Sequence, residues 1–136
     1  MSPYFFVLPT IVAVIPILFI FKVSIERVKE DPNSFQKAYV QFLLWAAIFE
    51  AIPIILIVFA FMNAEPVANI SELYMPAIII FLVAGFAAFF VFLQMTVDVV
   101  AETKEIVQRF CMLAFMLMLA IPIVSITGLF TMMPTN

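Results

Sequence analysis

Glu50 is the residue with the clearest capacity for chemistry, because its carboxyl lies inside a long apolar stretch. Apolar residues run from Phe42 to Phe49 before it and from Ala51 to Met62 after it, and it is the only ionisable residue deep in any expected span. Such a group costs at least about 2.5 kcal/mol on insertion scales and commonly marks an ion pathway or a proton relay. Since desolvation disfavours the charged form, we expect Glu50 to hold a proton until water or a positive charge reaches it.

The neighbours of Glu50 fit a carboxyl that exchanges a proton. Ala46, Ala47 and Ala51 are small enough to let a second helix or a hydrated path approach. Pro53 has no N–H, which frees a backbone carbonyl one turn earlier as an acceptor for the protonated acid. We therefore predict that these four residues support the site. The alternative is that Glu50 only cross-links helices by hydrogen bonding.

The elements that must position Glu50 are membrane helices. Of the 136 residues, 67% are hydrophobic and 11% are charged, whereas soluble domains are about half apolar and about a quarter charged. A span needs about 20 apolar residues, so the chain has room for four. The apolar stretches predict an all-α integral membrane protein with spans at about 4–25, 39–62, 76–97 and 110–133.

Several classes of site are excluded or disfavoured by composition. The chain has no His, and its single Cys, Cys111, lies in an apolar run. Six Lys and Arg with a net charge of −3 cannot form a basic patch for nucleic acid. We also find no glycine-rich phosphate loop and no nucleophile beside a base. The sequence therefore predicts no cofactor, no metal site, no nucleic-acid partner and no catalysis by this chain alone.

The basic residues predict the orientation of the chain in the membrane. They fall where spans one and two meet and where spans three and four meet: Lys22, Arg27, Lys29 and Lys37, then Lys104 and Arg109. Positive charge favours the cytoplasmic side, so both connections are expected inside and both termini outside. No Lys or Arg precedes the first apolar run, which favours a retained helix over a signal peptide.

A short motif occurs twice and suggests a duplication. The sequence Ala-Ile-Pro-Ile begins at Ala51 and again at Ala120, an offset of 69 residues. We predict two tandem helical hairpins, 1–62 and 63–136, the second being a degenerate repeat with Leu119 in place of Glu50. Chance similarity between two apolar hairpins is the alternative. The hairpins are expected to assemble further into a ring or bundle.

The first hairpin resembles the proteolipid c subunit of F-type ATP synthases over residues 17–62. Residues 24–32, Ser-Ile-Glu-Arg-Val-Lys-Glu-Asp-Pro, are similar to the end of that family's first helix and its polar loop. Residues 50–61, Glu-Ala-Ile-Pro-Ile-Ile-Leu-Ile-Val-Phe-Ala-Phe, resemble its ion-carrying helix. The spacing from Pro32 to Glu50 also agrees. Four helices with one acid are similar to the doubled proteolipids of V-type ATPases.

The resemblance implies a rotor subunit of a bacterial plasma membrane. Glu50 would then be the ion-binding carboxyl, loaded at one half-channel, carried past a stator arginine and unloaded at another. Ala51, where sodium-binding members tend to have a hydroxyl, favours protons. The loop residues that would meet ATPase stalk or membrane subunits are Arg27, Lys29, Glu30, Asp31 and Pro32.

Departures from the family pattern support a second function. The family's first helix carries a run of alternating glycines, but this chain has Val12, Val14, Pro16 and Leu18 there and only two glycines in all, Gly85 and Gly128. Bulky residues oppose close helix packing. The alternative is therefore a non-rotating c-like oligomeric pore, a scaffold or an assembly factor without coupled ion transport.

Overall fold

Four long helices make up most of the chain. A computed structural model describes residues 3–97, 99 and 101–134. The helices are α1 (Val7–Glu30), α2 (Phe35–Met62), α3 (Tyr74–Thr96) and α4 (Lys104–Thr131). Short 3-10 turns lie at Pro3–Phe5, Pro32–Ser34 and Ile70–Leu73.

All four helices are long and apolar enough to cross a membrane. At 1.5 Å per residue, helices of 23 to 28 residues extend for about 35 to 42 Å, against about 30 Å for the hydrocarbon core of a bilayer. The prediction of an all-α chain with four helices long and apolar enough to span a membrane is therefore confirmed for the described residues.

The polar ends of the helices differ from the predicted bounds. The first span was expected to end near residue 25 and the fourth to begin near 110, but α1 continues to Glu30 and α4 starts at Lys104. Ion pairs one turn apart support these extensions, and Lys22 lies 3.0 Å from Glu26. Lys22 therefore lies within the membrane-length helix α1, toward its end, rather than between two helices, whereas Glu50 lies near the middle of α2.

The helices form a central pair and an outer pair. The central pair, α1 and α4, packs together, and each of its helices also contacts both α2 and α3. The outer pair, α2 and α3, lies on opposite sides of it. In the most apolar stretch of each helix, 44% of the residues of α1 and 39% of those of α4 are buried inside the bundle. The corresponding share is 22% for both α2 and α3. The carboxyl of Glu50 is thus carried by an outer helix.

Four phenylalanines, one from each helix, pack together at one end of the core. Phe21 of α1 contacts Phe42 of α2, Phe90 of α3 and Phe110 of α4, with ring centroids 6.4, 6.3 and 6.0 Å away. Phe42 and Phe110 are 5.6 Å apart. Aromatic contacts at these distances add to the free energy of burial. The cluster fixes the relative heights of the helices at this end.

A glycine allows the central pair to approach closely at the other end. A Cβ atom built on Gly128 of α4 would overlap a ring carbon of Phe6, which is fully buried. One turn further into the bundle, the hydroxyl of Thr10 donates to Ser125 Oγ over 3.0 Å. The contact between α1 and α4 therefore combines tight packing with a buried hydrogen bond.

Candidate functional site

Glu50 is half-buried and lies at the edge of the α2 face that points into the bundle. The buried residues of this helix recur at helical spacing, at Ala38, Phe42, Ala46, Pro53, Ile57 and Ala60. Glu50 is four residues after Ala46 and three before Pro53, so it continues the same stripe. Its Oε1 is buried and, among the residues that the structure describes, has no hydrogen-bond partner. A buried polar atom of this kind is rare in proteins.

The height of Glu50 follows from the aromatic contacts between α1 and α2. Two of them flank it, Phe21–Phe42 at 6.4 Å and Phe6–Phe61 at 5.1 Å. Glu50 is about 12 Å beyond Phe42 along the helix axis, and the same distance along α1 leads from Phe21 to Ala13. Measured from the other contact, the facing residue is near Ile17. The carboxyl therefore lies at the level of residues 13–17 of α1.

Three helices contain a proline near this level. They are Pro16 in α1, Pro53 in α2 and Pro122 in α4. Pro122 lies about one turn before Ser125, whose hydroxyl contacts α1. Each proline leaves the carbonyl four residues earlier without its helical N–H donor. Acceptors for a protonated carboxyl are thus concentrated at the height of Glu50.

The predicted supporting residues separate into two sets. Ala46 and Pro53 are buried on the same face as Glu50. Ala47 and Ala51 are exposed, about 60° and 100° around the axis of α2 from Glu50. Ala46 and Pro53 therefore share the inward face with Glu50, whereas Ala47 and Ala51 lie at the exposed surface of α2.

The hydrogen bond between Thr10 and Ser125 lies close to the level of Glu50 and was not predicted from the sequence. Thr10 is fully buried, and its hydroxyl is engaged by Ser125. Pro53 and Ile57 of α2 lie at about its height, by the register of the aromatic contacts. A hydroxyl within an apolar helix was the available signal, since such groups often bond between membrane helices.

The basic residues of the predicted partner loop turn toward neighbouring helices. Arg27 donates to the side-chain carbonyl of Gln41 in α2. Lys29 donates to Gln94 Oε1 over 3.2 Å and to the carbonyl of Val97 over 2.6 Å, both at the end of α3. Arg27 thus joins α1 to α2, and Lys29 joins α1 to α3.

The acidic residues of this loop form its outer surface. Glu30 and Asp31 are exposed, and Asp31 follows the last residue of α1. Asp31 Oδ1 accepts the backbone N–H of Asn33 over 3.1 Å, within the turn Pro32–Ser34. The five predicted loop residues therefore lie together at one end of the bundle, far along the helix from Glu50.

Gln94 is a second polar residue that the sequence did not single out. Its side chain is 6% exposed, and it accepts from Lys22 over 3.3 Å as well as from Lys29. By accepting from two lysines of α1, Gln94 joins α3 to α1. A polar side chain within an apolar helix was the available signal, as it was for Thr10.

The candidate site thus consists of a carboxyl with one buried oxygen on an outer helix, with interrupted backbone hydrogen bonding at its height. Its predicted loop lies at one end of the helices and makes separate contacts with α2 and α3. Comparison with known proteins finds no family model, no curated protein and no solved structure that matches this chain.

Proposed function

We propose that the chain is a proteolipid c-like membrane subunit that binds a proton at Glu50 and carries it across the membrane within an oligomer. The observation that carries the proposal is the buried Oε1 of Glu50, which has no partner among the described residues. An unsatisfied buried acceptor lowers stability by about 1 to 3 kcal/mol. A carboxyl that only cross-linked helices would be hydrogen-bonded, so its isolation favours a group that binds and releases a proton.

The packing of the helices is compatible with two tandem hairpins, 1–62 and 63–136. Helix α1 packs on α2 and α3 packs on α4, while α1 also contacts α3 and α2 also contacts α4. The offset of 69 residues relates Phe21 to Phe90, which are in contact, and Pro53 to Pro122, which are both buried. These correspondences support a duplication in which Leu119 has replaced the acid.

Assembly would bring further groups to the carboxyl. The exposed Ala47 and Ala51 leave room for a second copy to pack on α2. The loop from Arg27 to Asp31 would contact other ATPase membrane or stalk subunits. In this proposal the chain resides in a bacterial plasma membrane, with both hairpin loops in the cytoplasm and both termini outside.

Labelling with dicyclohexylcarbodiimide, which attacks protonated carboxyls in apolar surroundings, tests the proton site. We expect an adduct on Glu50 that declines as the pH rises, located by mass spectrometry. Glu50→Gln should abolish both the adduct and proton flux in proteoliposomes, whereas Glu102→Gln, at an exposed position, should change neither. Absence of the adduct at every pH, or unchanged flux in Glu50→Gln, would refute the proposal.

The second candidate is a non-rotating pore, scaffold or assembly factor. It is favoured by α1, which packs against three helices of its own chain and exposes large side chains such as Ile15, Phe19 and Val23, which oppose close packing inside a ring. Particle size and composition discriminate between the two. A monomer or dimer, or a ring with a lipid-filled centre and no ATPase subunits, supports this candidate. Co-purification with catalytic ATPase subunits contradicts it.

A further inference from the structure

An apolar groove runs along the outside of the bundle between α1 and α2. It has a volume of about 260 Å³. Large apolar side chains line it, and Phe19, Val23 and Trp45 are 73%, 57% and 51% exposed. Because both helices are long enough to cross a bilayer, this groove faces hydrocarbon. Its shape and lining suit an acyl chain.

A polar cavity continues the groove at the turn between the two helices. It has a volume of about 340 Å³ and shares Arg27 and Gln41 with the groove. Its remaining charged lining is Glu30, Asp31 and Lys37. The cavity lies at the helix ends, where lipid headgroups meet water. Groove and cavity together form one amphipathic cleft that changes from apolar to charged along the helix axis.

We propose that this cleft binds one glycerophospholipid with an ethanolamine headgroup. Two cations and two anions line the polar cavity, so its formal charge is zero and complements a zwitterion rather than an anionic lipid. Arg27 uses one N–H group on Gln41, and its planar guanidinium has further N–H groups for a phosphate. Lys37 adds a second positive charge on the same wall.

The acidic side of the cavity selects the ethanolamine. A primary ammonium donates three hydrogen bonds, which a choline group cannot do. Neither Glu30 nor Lys37 forms an ion pair with any residue that the structure describes, so both remain available. Asp31 uses Oδ1 on its own turn, which leaves Oδ2 for the ligand. The apolar groove then receives one acyl chain beside Trp45.

Native mass spectrometry of the full-length chain in detergent tests this assignment. The protein is offered an equimolar mixture of palmitoyl-oleoyl phosphatidylethanolamine, phosphatidylcholine and phosphatidylglycerol. We expect one phospholipid retained per chain, with phosphatidylethanolamine favoured about threefold over either competitor, as exposed ion pairs allow. Equal retention of the three lipids, or a preference for phosphatidylglycerol, would overturn the assignment.

Variants identify which residues hold the lipid. Arg27→Gln should lose retention, Arg27→Lys should keep most of it, and the double variant Glu30→Gln with Asp31→Asn should bind phospholipid without preferring ethanolamine. Arg109→Gln is the matched control, because Arg109 is an exposed cation in α4, at the same end of the bundle. Retention unchanged in Arg27→Gln contradicts the proposal.

A second copy of the chain could fill the groove instead. With Cys111 replaced by Ala, a Val23→Cys variant that forms a disulfide-linked dimer and retains no lipid would establish that outcome and overturn the lipid assignment. Lipid retention does not depend on Glu50, so Glu50→Gln should retain lipid normally. The lipid site and the proton site can therefore fail separately.

Discussion

Helices α2 and α4 share the motif Ala-Ile-Pro-Ile but occupy opposite positions in the bundle. The proline of the motif is buried in both helices, at Pro53 and at Pro122. Helix α4 belongs to the central pair and contacts three neighbours, whereas α2 is an outer helix with most of its surface free. The residue before the motif is Glu50 in α2 and Leu119 in α4.

The effect of the proline is local to its helix, whereas the effect of the acid depends on where its helix lies. A proline interrupts the backbone hydrogen bonds of its helix wherever that helix lies. A carboxyl that exchanges a proton is different, because the proton must be reachable from water or from a partner. The outer helix offers such access when another subunit or a channel approaches. In the central helix the same group would face a cavity between α3 and α4 of its own chain.

Moving an acid to the central helix should have the largest effect. Leu119 is half-buried and lines a cavity between α3 and α4 with Gly85 and Pro122. Leu119→Glu should destabilise the protein by about 2.5 to 3.5 kcal/mol, the insertion cost of a central charge. Reversible unfolding by sodium dodecyl sulfate would measure this. A loss below that of Leu119→Gln would mean that α4 tolerates an acid as α2 does.

The two glycines provide a matched pair for the packing of central and outer helices. Gly128→Ala places a methyl group against the buried ring of Phe6 and should cost about 1 to 3 kcal/mol through overpacking. Gly85→Ala in α3 meets nothing within 4 Å and should be neutral or slightly stabilising. Melting temperatures in detergent would compare them. Equal effects would contradict the distinction between the two pairs.

Replacing the acid of α2 makes that helix resemble α4 and should stabilise the protein. Glu50→Leu removes a buried acceptor that lacks a partner among the described residues, and we expect a gain of about 1 to 2 kcal/mol. Glu102→Leu, at an exposed turn, should change stability by less than about 0.5 kcal/mol. A loss of stability in Glu50→Leu would indicate a structural hydrogen bond and favour the cross-linking role.

The smallest effect is expected at the hydrogen bond between the central helices. Thr10→Val removes the donor to Ser125 with little change of shape and should cost about 0.6 kcal/mol, as such bonds do in membranes. Thr127→Val is the control, since the Thr127 hydroxyl is exposed and, among the described residues, bonds only to Ile123 of its own helix. If both variants melt together, the bond between α1 and α4 adds nothing measurable.

Several features of the fold could be predicted because they depend on local composition. Runs of apolar residues suffice to identify the four helices. In hydrocarbon, a single apolar segment can satisfy its own backbone hydrogen bonds only as a helix. The polar ends were harder to predict. Helix α1 continues past Ile25 through charged residues, stabilised by the pair Lys22–Glu26, which a search for apolar stretches cannot detect.

The identity of the candidate acid was predictable, but its surroundings were not. A lone Glu in an apolar run is visible in the sequence. Helix α2 is apolar on every side, so no pattern along it indicates which face turns inward. The division of its alanines, with Ala46 inside and Ala51 outside, therefore depends on contacts with α1 and α4.

The order of apolar and charged residues along the chain is enough to establish four membrane-length helices, one acid within α2 and charged residues at the helix ends. Tertiary packing decides that α1 and α4 are central, that Gly128 receives Phe6, and that one oxygen of Glu50 is buried. The physical reason is that lipid tails are as apolar as the side chains they touch. Burial in hydrocarbon therefore does not determine which face of a membrane helix turns toward its neighbours. Shape complementarity and hydrogen bonding between helices determine it.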